Sequence, residues 1–354
     1  MKLISGKIFF KQHYKIIINS SLAVLGFFLI VLMIRLAGIS PKMVINNLRN
    51  IKYYYLIAIV ITNFFILSIS GLKWKMILNN LVDISKIPKG YFLYNCAIAM
   101  ILNTIIPQSG NYGLKTISMK LLHKIPADKG VLAIFIEQLF DLLILILLVI
   151  PSLLFFVDIL SLEASVTFIV VSILSLFGLI VYKNGMIFGL IIRVYRFLLK
   201  IVSKVFFFKR RFQNNSIMSE KLNPFSRSIA IRLFFYSCLK QLCITLRVYI
   251  IILALQINIP FYYILLGSAV VQVIIIATFI PGALGSLDVS WFGVLVLMGV
   301  NAPEAGIFVV VSRILGEASL IFVAFISYLY YIFNKELIKR AQQSQENLDE
   351  RLVY

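Results

Sequence analysis

The sequence is poor in acidic residues, histidine and cysteine. It contains 14 Asp and Glu against 34 Lys and Arg, with 2 His and 3 Cys. Both histidines, His13 and His123, fall outside the strongly apolar stretches, which argues against a histidine-dependent intramembrane phosphatase and against a metal enzyme. The cysteines lie within apolar stretches and lack metal-ligand spacing or an extracellular disulfide framework. We therefore expect no metal and no cofactor, and interpret the cysteines as small core residues.

Charged residues of any kind are scarce. They make up 14% of the chain, whereas hydrophobic residues make up 61% and the mean hydropathy is +0.99. This composition excludes an ordinary soluble domain, and repeated apolar runs of about 20 residues match a hydrocarbon core of roughly 30 Å. The sequence predicts an all-α, polytopic membrane protein. Its net charge of +20 reflects Lys and Arg in cytoplasmic loops rather than a nucleic-acid partner.

About six segments are long and apolar enough to be full spans, and the first lacks the cleavage site of a signal peptide. Most Lys and Arg lie in the N-terminal segment, in residues 73–89 and 183–228, and in the tail. The positive-inside rule then places both termini in the cytoplasm, in the cytoplasmic (inner) membrane. The predicted spans are residues 16–36, 53–72, 131–150, 165–182, 229–255 and 305–333.

Two further apolar segments are interrupted by proline and glycine. Proline removes a backbone donor, and a bilayer tolerates such a break only where protein or water surrounds it. The stretch Thr-Ile-Ile-Pro ending at Pro107 resembles Thr-Phe-Ile-Pro ending at Pro281, and each precedes glycines, a short helix and a long span with two charges. We predict two re-entrant helical hairpins in an inverted repeat, which would place a binding site near the midplane. Their short second helices are expected in residues 111–124 and 289–299.

Eight ionisable residues, four basic and four acidic, fall at predicted membrane depth. Unpaired, each would cost about 3 kcal/mol, so they must pair or face water. They could be buried ion pairs that hold helices together, although such pairs stabilise weakly. Alternatively, they line a cavity for a zwitterionic or anionic head group, where Arg and Lys suit phosphate and half-helix N-termini add donors. The predicted cavity residues, with the eight ionisable ones among them, are Asn103, Pro107, Gly110, Lys115, Glu137, Asp141, Lys240, Arg247, Pro281, Gly282, Gly285, Asp288, Arg313 and Glu317.

A basic stripe lies within the longest predicted non-spanning segment, residues 183–228. Its spacing of i, i+3, i+7 and i+11 puts four cations on one face of a helix whose other faces are apolar. The pattern is typical of a helix in the interface against anionic lipid. A cytoplasmic connector that obeys the positive-inside rule is the alternative. The stripe consists of Arg193, Arg196, Lys200 and Lys204.

Residues 103–141 together with 281–317 resemble the transmembrane region of lysylphosphatidylglycerol synthases and the stand-alone flippase-like membrane proteins related to it. That family shows an Asn, a Pro, glycines, a basic residue and a Glu-Arg-x-x-Asp helix. Later it shows a Pro-Gly-x-Gly-like turn with an acid, and an Arg in the last helix. Two positions depart from it, since Gln138 stands in place of the usual Arg and Asp288 in place of Glu. The matching residues are Asn103, Pro107, Gly110, Gly113, Lys115, Glu137, Asp141, Pro281, Gly282, Gly285, Asp288 and Arg313.

The resemblance implies movement of a phospholipid or lipid-linked sugar head group between leaflets, with anionic or polyprenyl-phosphate-linked lipids as partners. Residues 1–333 would form a single flippase-like domain, and residues 334–354 a polar cytoplasmic tail. The full synthases also carry a large soluble aminoacyl-transfer domain, whereas the longest predicted non-spanning segment here is residues 183–228. We therefore expect no aminoacyl-lipid synthesis by this chain alone. One alternative is a scaffold or accessory subunit for a synthase or glycosyltransferase. Another, disfavoured by short and acid-poor external loops, is a membrane-embedded transferase on polyprenyl-phosphate substrates.

Overall fold

The computed structural model of the protein describes residues 26–85, 87–105, 109–205, 226–278 and 285–352. Regular structure in these ranges is helical, which confirms the predicted all-α class. One segment, Ser109–Leu114, is a π-helix. The α-helices are α1 (Gly26–Ala37), α2 (Pro41–Asn50), α3 (Tyr53–Leu81), α4 (Lys89–Ile105), α5 (Lys115–His123), α6 (Ala127–Phe156), α7 (Leu162–Val205), α8 (Arg227–Ala254), α9 (Phe261–Thr278), α10 (Ser286–Leu297) and α11 (Ala302–Leu352).

Five helices in the described ranges are long and apolar enough to cross a membrane. They are α3, α6, α7 as far as Lys183, α8, and α11 as far as Phe333. A sixth crossing results if α1 and α2, which are bent by 83° relative to each other, count as one span. These helices confirm a polytopic membrane protein, while the predicted number of six full spans stays a prediction.

Two segments expected to be loops are helical. Residues 38–52, which connect the first two predicted spans, contain α2. This helix begins after Ser40, whose hydroxyl accepts a hydrogen bond from the Met43 amide at 3.3 Å. Such a cap, followed by Pro41 in the first turn, is a strong helix start. The prediction of a loop in residues 73–89 is also wrong for its first part, because α3 continues to Leu81. As a result, Lys73 lies in the protein interior.

The two broken segments appear as pairs of short helices. In the first, α4 precedes the π-helix and α5; in the second, α9 precedes α10. Each pair is followed, after a short turn, by a long helix that bears the predicted charges, α6 or α11. Short helices are therefore present at both predicted places, although residues 111–114 belong to the π-helix and α10 covers Ser286–Leu297 rather than residues 289–299. Pro107 and Pro281 lie outside the described residues, and re-entry into the membrane stays a prediction.

Helix α7 changes direction at Lys183, where the backbone leaves helical geometry with φ −128° and ψ 38°. This position coincides with the predicted end of a span. The following part is helical, as the basic stripe predicted, and Arg193 and Arg196 are exposed, whereas Ile191 is buried. The side chains of the other two stripe residues, Lys200 and Lys204, lie outside the described residues. Contact of this face with lipid stays a prediction.

Helices α3 and α8 cross in antiparallel directions at the centre of the protein. Lys73 Nζ, in the second half of α3, donates to Ser237 Oγ, in the first half of α8, at 2.7 Å. Conversely, Asn63 Oδ1, in the first half of α3, accepts from Arg247 NH1, in the second half of α8, at 2.8 Å. This crossing positions the polar clusters described next.

Candidate functional site

A carboxylate on α6 is shared by two lysines from different helices. Lys73 Nζ donates to Asp141 Oδ1, and Lys240 Nζ donates to Asp141 Oδ2 at 2.8 Å. Ser237 Oγ also donates to Asp141 Oδ1, at 2.8 Å. The Lys73 side chain is 0% exposed, whereas those of Asp141 and Lys240 are 26% and 20% exposed. The pair Asp141–Lys240 therefore faces open space, and Lys73 supports it from behind.

A second ion pair lies one helical turn away. Lys115, the first residue of α5, places Nζ 3.2 Å from Glu137 Oε2. The same Nζ lies 5.0 Å from the centroid of the Trp74 ring, a cation–π distance. Glu137 and Asp141 are four residues apart on one face of α6, and the Glu137 carbonyl also accepts from Lys73 Nζ at 3.3 Å. The two ion pairs thus form one group.

We call this group the lysine cluster; it comprises Lys73, Lys115, Glu137, Asp141 and Lys240. In their ordinary ionised forms its members are three cations and two anions, which leaves one uncompensated positive charge. A single unbalanced charge at membrane depth costs about 2.5–3.5 kcal/mol on insertion scales. Counted over the described residues, the cluster therefore carries a net positive charge that an anion or water beside it would compensate.

A cavity of about 400 Å³ opens beside the lysine cluster. This volume falls within the range typical of small-ligand sites. Its walls come from α6, α7, α8, α9 and the π-helix. Most of the surface that lines it is apolar and comes from side chains such as Phe135 and Leu142. The polar residues that line it are Tyr112, Gln138, Asp141, Ser237, Lys240, Gln241 and Gln272.

Neutral hydrogen-bonding groups surround the charged wall of the cavity. Tyr112, in the π-helix, donates its hydroxyl hydrogen to Gln138 Oε1 at 2.7 Å. Gln272 Nε2 donates to the Ser268 carbonyl at 3.2 Å. Within the described part of the chain, the buried Gln241 Nε2 has no hydrogen-bond partner. A buried unpaired donor is costly, and the same residue lines the cavity.

The remaining predicted charges form a second group, the arginine cluster: Arg247, Asp288, Arg313 and Glu317. Arg313 binds Asp288 in bidentate fashion, with Nε 3.0 Å from Oδ1 and NH2 2.9 Å from Oδ2. Arg247 donates to Asn63, and Glu317 is close enough to both arginines to attract them electrostatically. The two cations and two anions of this cluster balance.

Asp288 also holds the start of α10. Its Oδ2 accepts from the Gly285 amide at 2.9 Å, and Gly285 adopts a φ of +77°. A Cβ at Gly285 would lie 2.5 Å from the carbonyl oxygen of Gly26 on α1. Both the backbone conformation and this close approach require glycine.

The structure brings the predicted site residues together in two groups rather than one. Of the eight predicted ionisable residues, four belong to the lysine cluster, which Lys73 completes, and four to the arginine cluster. Of these eight, only Asp141 and Lys240 line the cavity. Asn103 is half-buried on α4, and Gly110 lies in the π-helix. Pro107, Pro281 and Gly282 lie outside the described residues.

Sequence reasoning missed Lys73, which it assigned to a loop. A signal was present: the interval from Lys73 to Arg247 equals the interval from Asn63 to Ser237. Each of these pairs joins equivalent positions of α3 and α8. The two break prolines are separated by the same interval. When the sequence is compared with itself at that interval, Lys73 falls at the position equivalent to Arg247. Because Arg247 lies inside a predicted span, the comparison predicts that Lys73 also lies inside one.

Comparison with known proteins adds one result to this geometry. The family described as Lysylphosphatidylglycerol synthase TM region matches residues 17–327, which include both broken segments and both charge clusters. No curated protein and no solved structure shows a significant match to the chain. The chain therefore belongs to the lysylphosphatidylglycerol synthase TM region family, as its motifs predicted.

Proposed function

We propose that this chain moves the head group of an anionic phospholipid or a lipid-linked sugar between leaflets, through the cavity beside the lysine cluster. One observation carries the proposal. Three lysines share two carboxylates next to a cavity of about 400 Å³. A phosphate bound there would balance the charge, and its acyl or prenyl chains would remain in the lipid.

The cavity offers ligands suited to such a group. Lys240 is the partly exposed lysine, and an ammonium group is a common phosphate ligand. Gln241 also lines the cavity, and a rotation of its side chain would let the amide donate to a phosphate or sugar oxygen. The family's usual Arg is replaced by Gln138, which also lines the cavity, so Lys240 takes a larger share of anion binding in this chain.

The lysine cluster and the arginine cluster would give a head group two binding positions along one path across the membrane. Asn63 and Lys73 mark the arginine and lysine clusters on α3, and ten residues of helix span about 15 Å. That distance is about half of the hydrocarbon core. The antiparallel crossing of α3 and α8 supports an inverted repeat in which the broken segments are re-entrant and expose the site alternately to each side.

The distribution of Lys and Arg supports the further proposals that both termini are cytoplasmic and that the protein resides in the cytoplasmic membrane. The ion pairs also favour translocation over the alternative of a membrane-embedded transferase. Asp141, Glu137 and Asp288 each lie in an ion pair, so their carboxylate oxygens already accept hydrogen bonds from cations rather than facing a substrate alone. A synthase or glycosyltransferase partner remains compatible with translocation.

Reconstitution into liposomes tests the function. Vesicles with fluorescent phosphatidylglycerol or a fluorescent polyprenyl-phosphate sugar are treated with a membrane-impermeant quencher, and the protected fraction is followed with time. We expect loss of the protected inner-leaflet signal with the wild-type chain and slower loss with Lys240→Gln. Lys42→Gln, which removes an exposed lysine of α2, is the matched control. Wild-type rates equal to those of protein-free vesicles for both lipids would contradict the proposal.

A further inference from the structure

A second hollow of about 440 Å³ lies on the other side of α3, between α3, α4 and α11. It shares no lining residue with the cavity beside the lysine cluster. Helix geometry separates the two, because residues two positions apart on an α-helix point about 200° apart. Lys73 therefore points inward to Asp141, and Lys75 points outward into the hollow.

The hollow is a groove that follows the length of α3. Phe64, Leu72 and Lys75 lie along it at helical spacing, so it extends over about 16 Å. That length corresponds to one leaflet of a hydrocarbon core of about 30 Å. Phe92 of α4 and Ile326 of α11 form apolar walls on either side. Its dimensions and lining suit a single acyl chain lying parallel to α3.

Positive charge is confined to one end of the groove. Lys75 and Lys89 both line that end and repel each other. Lys75 Nζ lies 5.9 Å from the Phe92 ring centroid, which holds the ammonium group above the apolar floor. Within the described residues, no carboxylate lies at ion-pair distance from either lysine. Two adjacent cations that lack a carboxylate partner in the described ranges, at the end of an apolar channel, match a phosphate ester with an attached acyl chain.

We propose that this groove binds an anionic phospholipid, with the phosphate between Lys75 and Lys89 and one acyl chain along α3. This lipid would be a bound component that contacts α3, α4 and α11 rather than the transported substrate. An uncharged segment of another protein would leave both cations unpaired. Each lysine near a membrane surface contributes about 1 kcal/mol toward an anionic lipid, or about fivefold in affinity.

Native mass spectrometry of the full chain in detergent tests the proposal, with dioleoyl phosphatidylglycerol and dioleoyl phosphatidylcholine as probes. A Lys240→Gln background removes the lysine of the central cavity. In that background we expect one phosphatidylglycerol to bind at least tenfold more tightly than phosphatidylcholine. The preference should fall about tenfold or more in Lys75→Gln/Lys89→Gln and persist in Lys42→Gln/Lys52→Gln, which removes two exposed lysines elsewhere.

Three further measurements separate the possible sources of binding. Ser68→Phe, which fills the groove without changing charge, should also weaken phosphatidylglycerol binding. Soluble glycerol phosphate should compete poorly, since it lacks the acyl chain. A phosphatidylglycerol with a photoreactive acyl chain should label peptides from α3, α4 or α11. Unchanged affinity in both groove variants, equal affinity for the two lipids, efficient competition by glycerol phosphate, or labelling elsewhere would overturn the proposal.

Discussion

At the scale of single residues, Asp141 connects the two lysines that approach each other from different helices. It accepts from Lys73, Lys240 and Ser237 and so joins α3, α6 and α8. The sequence predicted Asp141 and Lys240 at membrane depth because both lie well inside apolar runs. Lys73 lies where an apolar run ends, so hydropathy alone could not place it inside. Its burial follows from a tertiary contact with Asp141 that local sequence does not encode.

Asp141→Asn is expected to destabilise the protein. Removing the shared carboxylate leaves Lys73 buried without its counter-charge, and breaking a buried pair typically costs about 3–5 kcal/mol. Unfolding in detergent, followed by tryptophan fluorescence, measures the change. Glu163→Gln removes an acid from an exposed position and is the control, with a change expected within about 0.5 kcal/mol. Equal stability of the two variants would show that the shared ion pair contributes little.

Gly285→Ala is expected to disturb the start of α10. The positive φ and the close approach to Gly26 leave no space for a Cβ, so we expect a loss of about 1–3 kcal/mol. Gly293→Ala, in the middle of the same helix, has nothing within 4 Å of the added carbon. It should be neutral or stabilising by up to about 1 kcal/mol. Melting temperatures in detergent compare the two, and a tolerated Gly285→Ala would contradict this account.

At the scale of elements, the pattern of proline, glycine and short apolar runs predicted both broken segments before the long charged helices. The lengths of the helices were harder to predict. Helix α3 extends beyond its apolar run to Leu81 because Lys73 and Trp74 are buried by neighbouring helices. The π-helix at Ser109–Leu114 had no signal that we recognised, although π-helical turns are frequent at functional sites. Its Tyr112 reaches the cavity beside the lysine cluster.

The antiparallel packing of α3 on α8 predicts energetic coupling between Asn63 and Arg247. The double variant Asn63→Ala/Arg247→Ala should lose less unfolding free energy than the sum of the losses in the two single variants. We expect the difference to be about 0.5–3 kcal/mol. Ser237→Ala combined with Arg247→Ala is the control cycle. These residues are ten positions apart on α8, about 15 Å, so their effects should add. Additivity in the Asn63 cycle would argue against the observed contact.

At the scale of the whole molecule, composition alone predicted the fold class and the motifs predicted the family. The grouping of eight charges into two clusters could not be predicted, because it depends on how α3, α6, α8 and α11 pack. A single shared pocket was expected. The structure instead places an unbalanced cluster beside a cavity and a balanced one elsewhere. This asymmetry in charge leads to the proposed preference for an anionic head group.

Membrane topology provides a test at this scale. In a cysteine-free variant, a cysteine at Ile159, in the exposed turn after α6, should react with an impermeant maleimide in intact cells. A cysteine at Ser344, in the polar tail, should react only after permeabilisation. Labelling of Ser344→Cys in intact cells would contradict a cytoplasmic C-terminus. The same result would remove the assignment of sides that rests on the distribution of Lys and Arg.

The most direct test of the central claim is the ratio of translocation rates for phosphatidylglycerol and phosphatidylcholine reporters in reconstituted vesicles. Lys240→Gln leaves two cations and two anions in the lysine cluster, so the wild-type preference for phosphatidylglycerol should fall by about tenfold, as expected for one charged hydrogen bond. Gln138→Arg adds a cation at the cavity wall and should raise the ratio. The same ratio in all three proteins would contradict the account.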